Sequence, residues 1–150
     1  MNVLLINGSP HEKGCTYTAL SLIAGELNKA GIDTEILHVG GKPVGGCIGC
    51  GCCRSGNGCV FGGVVNEAIE KAKTADGFVF GSPVHYASAS GNMTSFMDRL
   101  SYAGGKYLAY KPAAICCSAR RAGTTTTLDQ LVKYPQFFHM PLVNGSYWAM

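Results

Sequence analysis

Hydroxyl side chains and a helix start crowd one short stretch near the beginning of the chain, Asn7-Gly8-Ser9-Pro10-His11-Glu12-Lys13-Gly14-Cys15-Thr16-Tyr17-Thr18. Ser9, Thr16, Tyr17 and Thr18 offer donors, and a helix beginning near Thr16 adds unpaired backbone N–H groups and the positive end of its dipole. That combination suits a phosphate. A triphosphatase loop is excluded, because five residues instead of four separate Gly8 from Gly14 and Cys15 stands where the lysine belongs. The Gly-x-Gly-x-x-Gly turn of dinucleotide-binding folds is missing too, as is an acidic residue directly after the preceding apolar run, which a metal-dependent phosphoacceptor requires. Two readings remain: a monophosphate site without an obligatory cation, or an ordinary strand-to-helix turn with Thr16 as N-cap.

Thiols form the second concentration of chemistry. Five of the eight cysteines, Cys47, Cys50, Cys52, Cys53 and Cys59, fall within residues 40–63, a glycine-rich segment without helical or strand periodicity. Such a segment is an insertion with a purpose of its own. No basic stretch precedes the N-terminal apolar run, so no secretory signal is read and a cytoplasmic location is expected. There, eight cysteines point to reduced thiols, metal ligation or redox chemistry instead of structural disulfides.

The elements that must position these groups follow from periodicity. Val3 to Ile6 is an apolar run too short for a helix and reads as a strand buried on both faces. Leu20, Ile23, Ala24 and Leu27 recur at helical spacing and Gly31 ends the pattern. Asp33 to Val39 reads as a sheet-edge strand, with His38 as an ordinary strand side chain. After the insertion, Val65, Ala68, Ile69 and Ala72 mark a helix, Gly77 to Gly81 a buried strand, and Met93, Phe96, Met97 and Leu100 a further helix. Pro112 to Cys117 is a fourth strand, in which Cys116 and Cys117 read as small buried hydrophobes. Thr124 to Lys133 is a helix broken near Pro135, and Pro141 to Asn144 a fifth strand. Alternating strands and helices specify a parallel sheet wound on both faces. With strand order 2-1-3-4-5, the loops after the first, third and fourth strands converge at the carboxyl ends, where such sheets bind ligands.

Composition limits the partners. The 150 residues are 47% hydrophobic and 14% charged, which is enough for one compact domain over 1–150, and the long apolar tract of a membrane span is absent. Twelve Lys and Arg against nine acids leave +3 without a basic block, so neither nucleic acid nor membrane is an expected partner.

The chain resembles the flavodoxin-like NAD(P)H-dependent FMN reductases, and especially their iron-sulfur flavoprotein relatives. The resemblance rests on Asn7-Gly8-Ser9-Pro10 with Gly14-Cys15-Thr16, on Ala75-Asp76-Gly77-Phe78-Val79-Phe80-Gly81-Ser82-Pro83-Val84-His85-Tyr86, and on Phe96-Met97-Asp98-Arg99. It implies that the first loop, with Ser9, His11, Gly14, Cys15, Thr16, Tyr17 and Thr18, binds the FMN phosphate. Cys15 departs from the family, whose members often carry Asn there. Pro83, Val84, His85, Tyr86 and Ser88 would run along the isoalloxazine ring, and Ser118, Arg120, Arg121 and Gly123 would border its other side. Tyr86 and His85 are placed to cover the ring face; alternatively Tyr86 packs at a helix start and His85 is solvated. Arg120 and Arg121 suit the cofactor, a nicotinamide nucleotide phosphate or an acidic substrate, or else form a solvated exit loop.

The same resemblance makes Cys47, Cys50, Cys53 and Cys59 the ligands of a [4Fe-4S] cluster, with Cys52 spare. Free thiols and a zinc site remain alternatives. A flavodoxin-like domain normally closes with a helix after its last strand, whereas this chain stops at Tyr147-Trp148-Ala149-Met150, so bare apolar sheet surface is expected, covered by a second copy in a homodimer or homotetramer or else left by a shortened form of a longer protein. The expected function is an FMN oxidoreductase passing electrons from NAD(P)H or a carrier to a small-molecule acceptor or redox protein. The alternatives are a flavodoxin-like electron carrier, for which +3 is an unusual charge, and a cofactor-free thiol or metal sensor.

Overall fold

The computed structural model describes residues 1–145. The first apolar run becomes β1 (Asn2–Asn7), flanked by the parallel strands β2 (Asp33–His38) at the sheet edge and β3 (Gly77–His85). The two-residue β4 (Ser88–Ala89) folds back antiparallel on the end of β3, and β5 (Ala113–Ser118) pairs with β3 in parallel. The expected fifth parallel strand is reduced to one bridge between Leu142 and Ala113, in which Ala113 N–H donates to Pro141 O (2.9 Å) and Val143 N–H to Ala113 O (2.8 Å). Pro141 has no amide for a longer ladder, and Asn144-Gly145 is a turn-forming pair. Counting only parallel members, the spatial order is the expected 2-1-3-4-5. The expectation about a closing helix concerns residues 146–150, outside the described residues.

Strand alternation divides the core. Leu4, Ile6, Phe78 and Phe80 point to one face, where they meet Val65, Ala68, Ile69 and Ala72 of α2 (Val64–Thr74) and Met93, Phe96, Met97 and Leu100 of α3 (Gly91–Gly104). Leu131 of α4 (Thr124–Phe137) joins the same cluster. Leu5 and Val79 point to the other face, covered by Leu20 and Ala24 of α1 (Cys15–Lys29). All eight stripe residues expected on α2 and α3 are buried, because each helix turns one apolar stripe to the sheet. The helix expected to break near Pro135 runs two residues past it. Pro135 lies in the last turn, where a proline costs one backbone hydrogen bond and interrupts little.

Candidate functional site

Three loops meet at the carboxyl ends of the parallel strands. Gly8 N–H donates to Gly81 O (2.8 Å), fastening the end of β1 to β3. Thr16 Oγ1 and Ser118 Oγ share a hydrogen bond of 2.8 Å, fastening the first turn of α1 to the end of β5. Gly123, at φ +99°, lies so close to the 86–87 turn that a Cβ would come within 2.9 Å of Ala87 Cα. Only glycine meets both the left-handed backbone and that approach.

The first loop is built from inside. Asn7 is buried; its Nδ2 donates to Glu12 O (3.0 Å) and its Oδ1 accepts from Ser9 N–H (3.1 Å). Ser9 is buried as well, and its Oγ accepts from His11 N–H (3.1 Å). Helix α1 begins after Gly14, which is the N-cap but has no side chain to cap with. The alternative with Thr16 as N-cap is therefore corrected: Thr16 is the second helical residue and its hydroxyl is turned to Ser118. The first helical backbone bond is Thr18 N–H to Gly14 O (3.0 Å), so the amides of Cys15, Thr16 and Tyr17 have no acceptor within the helix. Cys15, Thr18 and His11 are exposed around this end, and Tyr17 is half-buried.

Across the cleft, Tyr86 and Ala87 form a two-residue turn between the paired residues His85 and Ser88. Both are left-handed, with φ +51° and +58°. Hairpin turns of this kind ordinarily use Asn-Gly, so a tyrosine here is held at a backbone cost. Tyr86 is fully exposed and His85 exposed, which removes the reading of Tyr86 packed at a helix start. A cleft of about 240 Å³ separates Val84, Tyr86 and Ala87 from Ala119, Arg120, Arg121 and Ala122. Pro83 and Val84 are half-buried on the last residues of β3, whereas the Ser88 hydroxyl is turned away, donating to Gln130 Oε1 (2.8 Å).

The cysteine segment folds without regular structure apart from a 3-10 turn at Cys52–Ser55, flanked by left-handed Gly51 and Gly56. Cys47, Cys50, Cys53 and Cys59 line one cavity of about 290 Å³ with Arg54, Phe61, Arg99 and Tyr102, and Cys52 is not among its lining residues. Cys59 is the anchored member: its N–H donates to Asn66 Oδ1 (2.8 Å), Asn66 Nδ2 donates to its carbonyl (3.0 Å), and it packs against the main core. The backbone N–H and then the thiol of Cys52 hydrogen-bond to the Cys50 sulfur, drawing the Cys50 thiol below its ordinary range and pushing the Cys52 thiol up. Among the described residues, no three His, Cys, Asp or Glu side chains stand grouped to hold a single metal ion.

The family model for NADPH-dependent FMN reductases matches residues 1–150. The chain belongs to that family. An iron-sulfur flavoprotein of Methanosarcina thermophila is 30% identical over 149 residues, covering 97% of this chain and 78% of its own length. One from Methanocaldococcus jannaschii is 34% identical over 99 residues, 66% of this chain, and that match spans about half (51%) of the relative. The fold is shared with the apo form of the NADH:FMN oxidoreductase EMOB (TM-score 0.70, 20% identity, 95% of this chain and 72% of that one). It is shared also with the NAD(P)H:(acceptor) oxidoreductase FerB of Paracoccus denitrificans (TM-score 0.72, 15% identity, 99% and 80%). No helix among the described residues is long and apolar enough to cross a membrane.

For an FMN reductase family member, the uncapped amides of α1 are the test of fit. A dianionic phosphate answers three unpaired N–H groups at a positive helix end without further rearrangement. The donor set of the second cavity likewise fits a thiolate-held group, with a guanidinium instead of a carboxylate beside the sulfurs.

Periodicity missed several residues that support the family's loops. His38, read as an ordinary strand side chain, donates from Nε2 to Ser9 O (2.8 Å) and so orients the first loop. Ser90 caps α3 by accepting from Met93 N–H (3.2 Å) and donates to Gly8 O (2.7 Å). Asn92 donates to Gly40 O (2.9 Å) and Lys42 O (3.1 Å) and accepts from Val44 N–H (3.1 Å), tying the start of the cysteine segment to the same helix. Arg99, the ninth of the fourteen residues of α3, reaches the cysteine cavity from the same helix. For Ser90 the signal was a serine three residues before an apolar stripe; for Arg99 it was an arginine between Met97 and Leu100, two buried positions of that stripe.

Cys116 and Cys117 belong to neither cavity. Cys116 packs against the smaller core cluster, and burial, then the neighbouring Cys117, push its thiol up to about 12. Burial also raises Tyr134, whose hydroxyl donates to Asp98 Oδ1 (2.6 Å). Unfolded, these groups release protons near 9.0 and 10.0. Folded, they retain them, so the native state binds more protons through this window and stability falls as pH rises above about 9. Urea midpoints taken at about pH 8 and about pH 10.5 are expected to drop, and Cys116→Ala is expected to drop less.

Proposed function

We propose that the protein is an FMN-dependent oxidoreductase with a second redox group, a [4Fe-4S] cluster, in its cysteine cavity. Ser9, Thr18 and the amides of Cys15, Thr16 and Tyr17 hold the FMN phosphate, with the Thr16 hydroxyl tying that loop to Ser118; the β3 end with Tyr86 and the 118–123 loop flank the ring. Cys47, Cys50, Cys53 and Cys59 hold the cluster. When bound, flavin exchanges electrons in pairs or singly and a cluster passes them singly. The chain's own contribution is to bind, orient and shield these groups, with NAD(P)H or a redox protein as donor and a small molecule or redox protein as acceptor. The observation that carries this reading is that four cysteines of a glycine-rich insertion line one cavity while the fifth, Cys52, is not among its lining residues.

The test is an absorption spectrum of anaerobically purified protein with iron and acid-labile sulfide assayed on the same sample. Flavin bands with stoichiometric iron and sulfide are expected. Flavin without iron would reduce the reading to a simple flavin reductase, and a colourless protein that does not take up added FMN would defeat it.

We propose further that the α1 face of the sheet is covered by a second copy, since Ala114 and Cys116 of β5 remain only half-buried there. Light scattering at micromolar concentration is expected to give a dimer or tetramer, and a monomer would refute this.

A further inference from the structure

Arg99 is a buried cation at the edge of the cysteine cavity. It is 6% exposed, and among the described residues no Asp or Glu stands within ion-pair distance of it. Its sequence neighbour Asp98 is engaged with Tyr134 instead. Buried charges are ordinarily paired, because desolvation is expensive.

Its donors go to the cysteine segment. Nε donates to Cys59 Sγ (3.2 Å), while the terminal nitrogens donate to Gly45 O (3.4 Å) and Gly62 O (3.0 Å). Gly45 lies two residues before Cys47 and Gly62 three after Cys59, so one side chain brackets the four cysteines at both ends. The Phe61 ring lies against the guanidinium at 5.4 Å, covering another side of it.

We propose that Arg99 is a positioning residue that supplies the counter-charge for the anionic thiolate-held group in this cavity and raises its reduction potential through the Cys59 sulfur. The inference rests on the cluster reading of the preceding section. Net charge and hydrogen bonds to the sulfurs are the levers by which a protein sets such potentials. A positive charge with a donor on one sulfur favours the more negative, reduced form. Arg99 is on α3 nine residues from Ser90, which bonds the phosphate loop, or about 13 Å along the helix at 1.5 Å per residue. Its effect on the flavin is therefore expected to be small beside its effect on the cysteine cavity.

The experiment compares the full chain with Arg99→Gln and Arg99→Lys, purified anaerobically. Iron, sulfide and FMN are assayed, and cluster and flavin midpoints are read in one redox titration. In Arg99→Gln the cluster is expected to become at least tenfold harder to reduce, about 59 mV for a one-electron couple. Arg99→Lys is expected to stay near the wild-type value, with the flavin midpoint unmoved in both. An Arg99→Gln protein that retains its iron at an unchanged midpoint overturns the proposal. Should Arg99→Gln lose its iron, Arg99→Lys decides. Retention near the wild-type midpoint upholds the counter-charge, and loss of iron with FMN retained assigns Arg99 a purely geometric role and overturns it. Wild-type protein with FMN but neither iron nor sulfide defeats the cluster reading itself, before any variant is compared.

Discussion

Replacing Cys59 by serine is expected to strip iron and acid-labile sulfide from the protein while FMN content stays at the wild-type level. Cys59 differs from the other three cysteines of its cavity in being fixed from three sides: Asn66 holds its backbone in both directions, the main core packs against it, and Arg99 donates to its sulfur. It is the pre-organised member, and Cys47 and Cys50 are exposed on the irregular segment around it. Changing a partner that merely orients a metal ligand costs about 10–100-fold in metal affinity, so removing a ligand should cost at least as much. Cys52→Ser is the control, because Cys52 does not line the cavity and serine keeps both a backbone N–H and a side-chain donor toward the Cys50 sulfur; iron there is expected to remain near wild type. Equal loss of iron in Cys52→Ser and Cys59→Ser would refute the four-cysteine assignment.

The second large effect is expected at Cys15. Cys15→Asp places a carboxylate at the first helical position, where the dipole favours negative charge, so the folded protein should gain about 0.3–1 kcal/mol. The same carboxylate would stand beside a phosphate carrying up to two negative charges. At an effective dielectric between those of water and the protein surface, that repulsion is on the order of 1–3 kcal/mol, or about 10–100-fold in FMN affinity. Stability and FMN affinity should therefore move in opposite directions. Riboflavin, which has no phosphate, should bind both proteins alike. Fluorescence titration with each ligand, beside a urea curve, separates the outcomes: FMN binding unchanged by Cys15→Asp would show that the phosphate sits elsewhere.

The parallel sheet, its order and its helices were legible in the sequence because they rest on one-dimensional patterns. Val3–Ile6 and Gly77–Gly81 are apolar runs that only a doubly covered strand can bury, and the stripes of α2 and α3 repeat at helical spacing. The candidate loops were legible for the same reason, since each begins where the apolar run of a strand stops. The short β4 was not, because its pairing depends on a turn in which Tyr86 and Ala87 adopt conformations their residue types disfavour. Nor was the near-loss of the last strand, where Pro141 and Asn144-Gly145 outweigh Leu142 and Val143.

By itself the sequence determined which thiols and hydroxyls are present, how they are spaced, and that a parallel sheet carries them, since spacing and periodicity are properties of a line. Only the tertiary structure decided which groups face one another. It turned Thr16 to Ser118 across 102 positions, brought His38 to the Ser9 carbonyl, and set Arg99 against Cys59. The reason is that burial and hydrogen-bond satisfaction are settled by elements distant in sequence: an arginine within an apolar stripe announces a partner, and only packing names it.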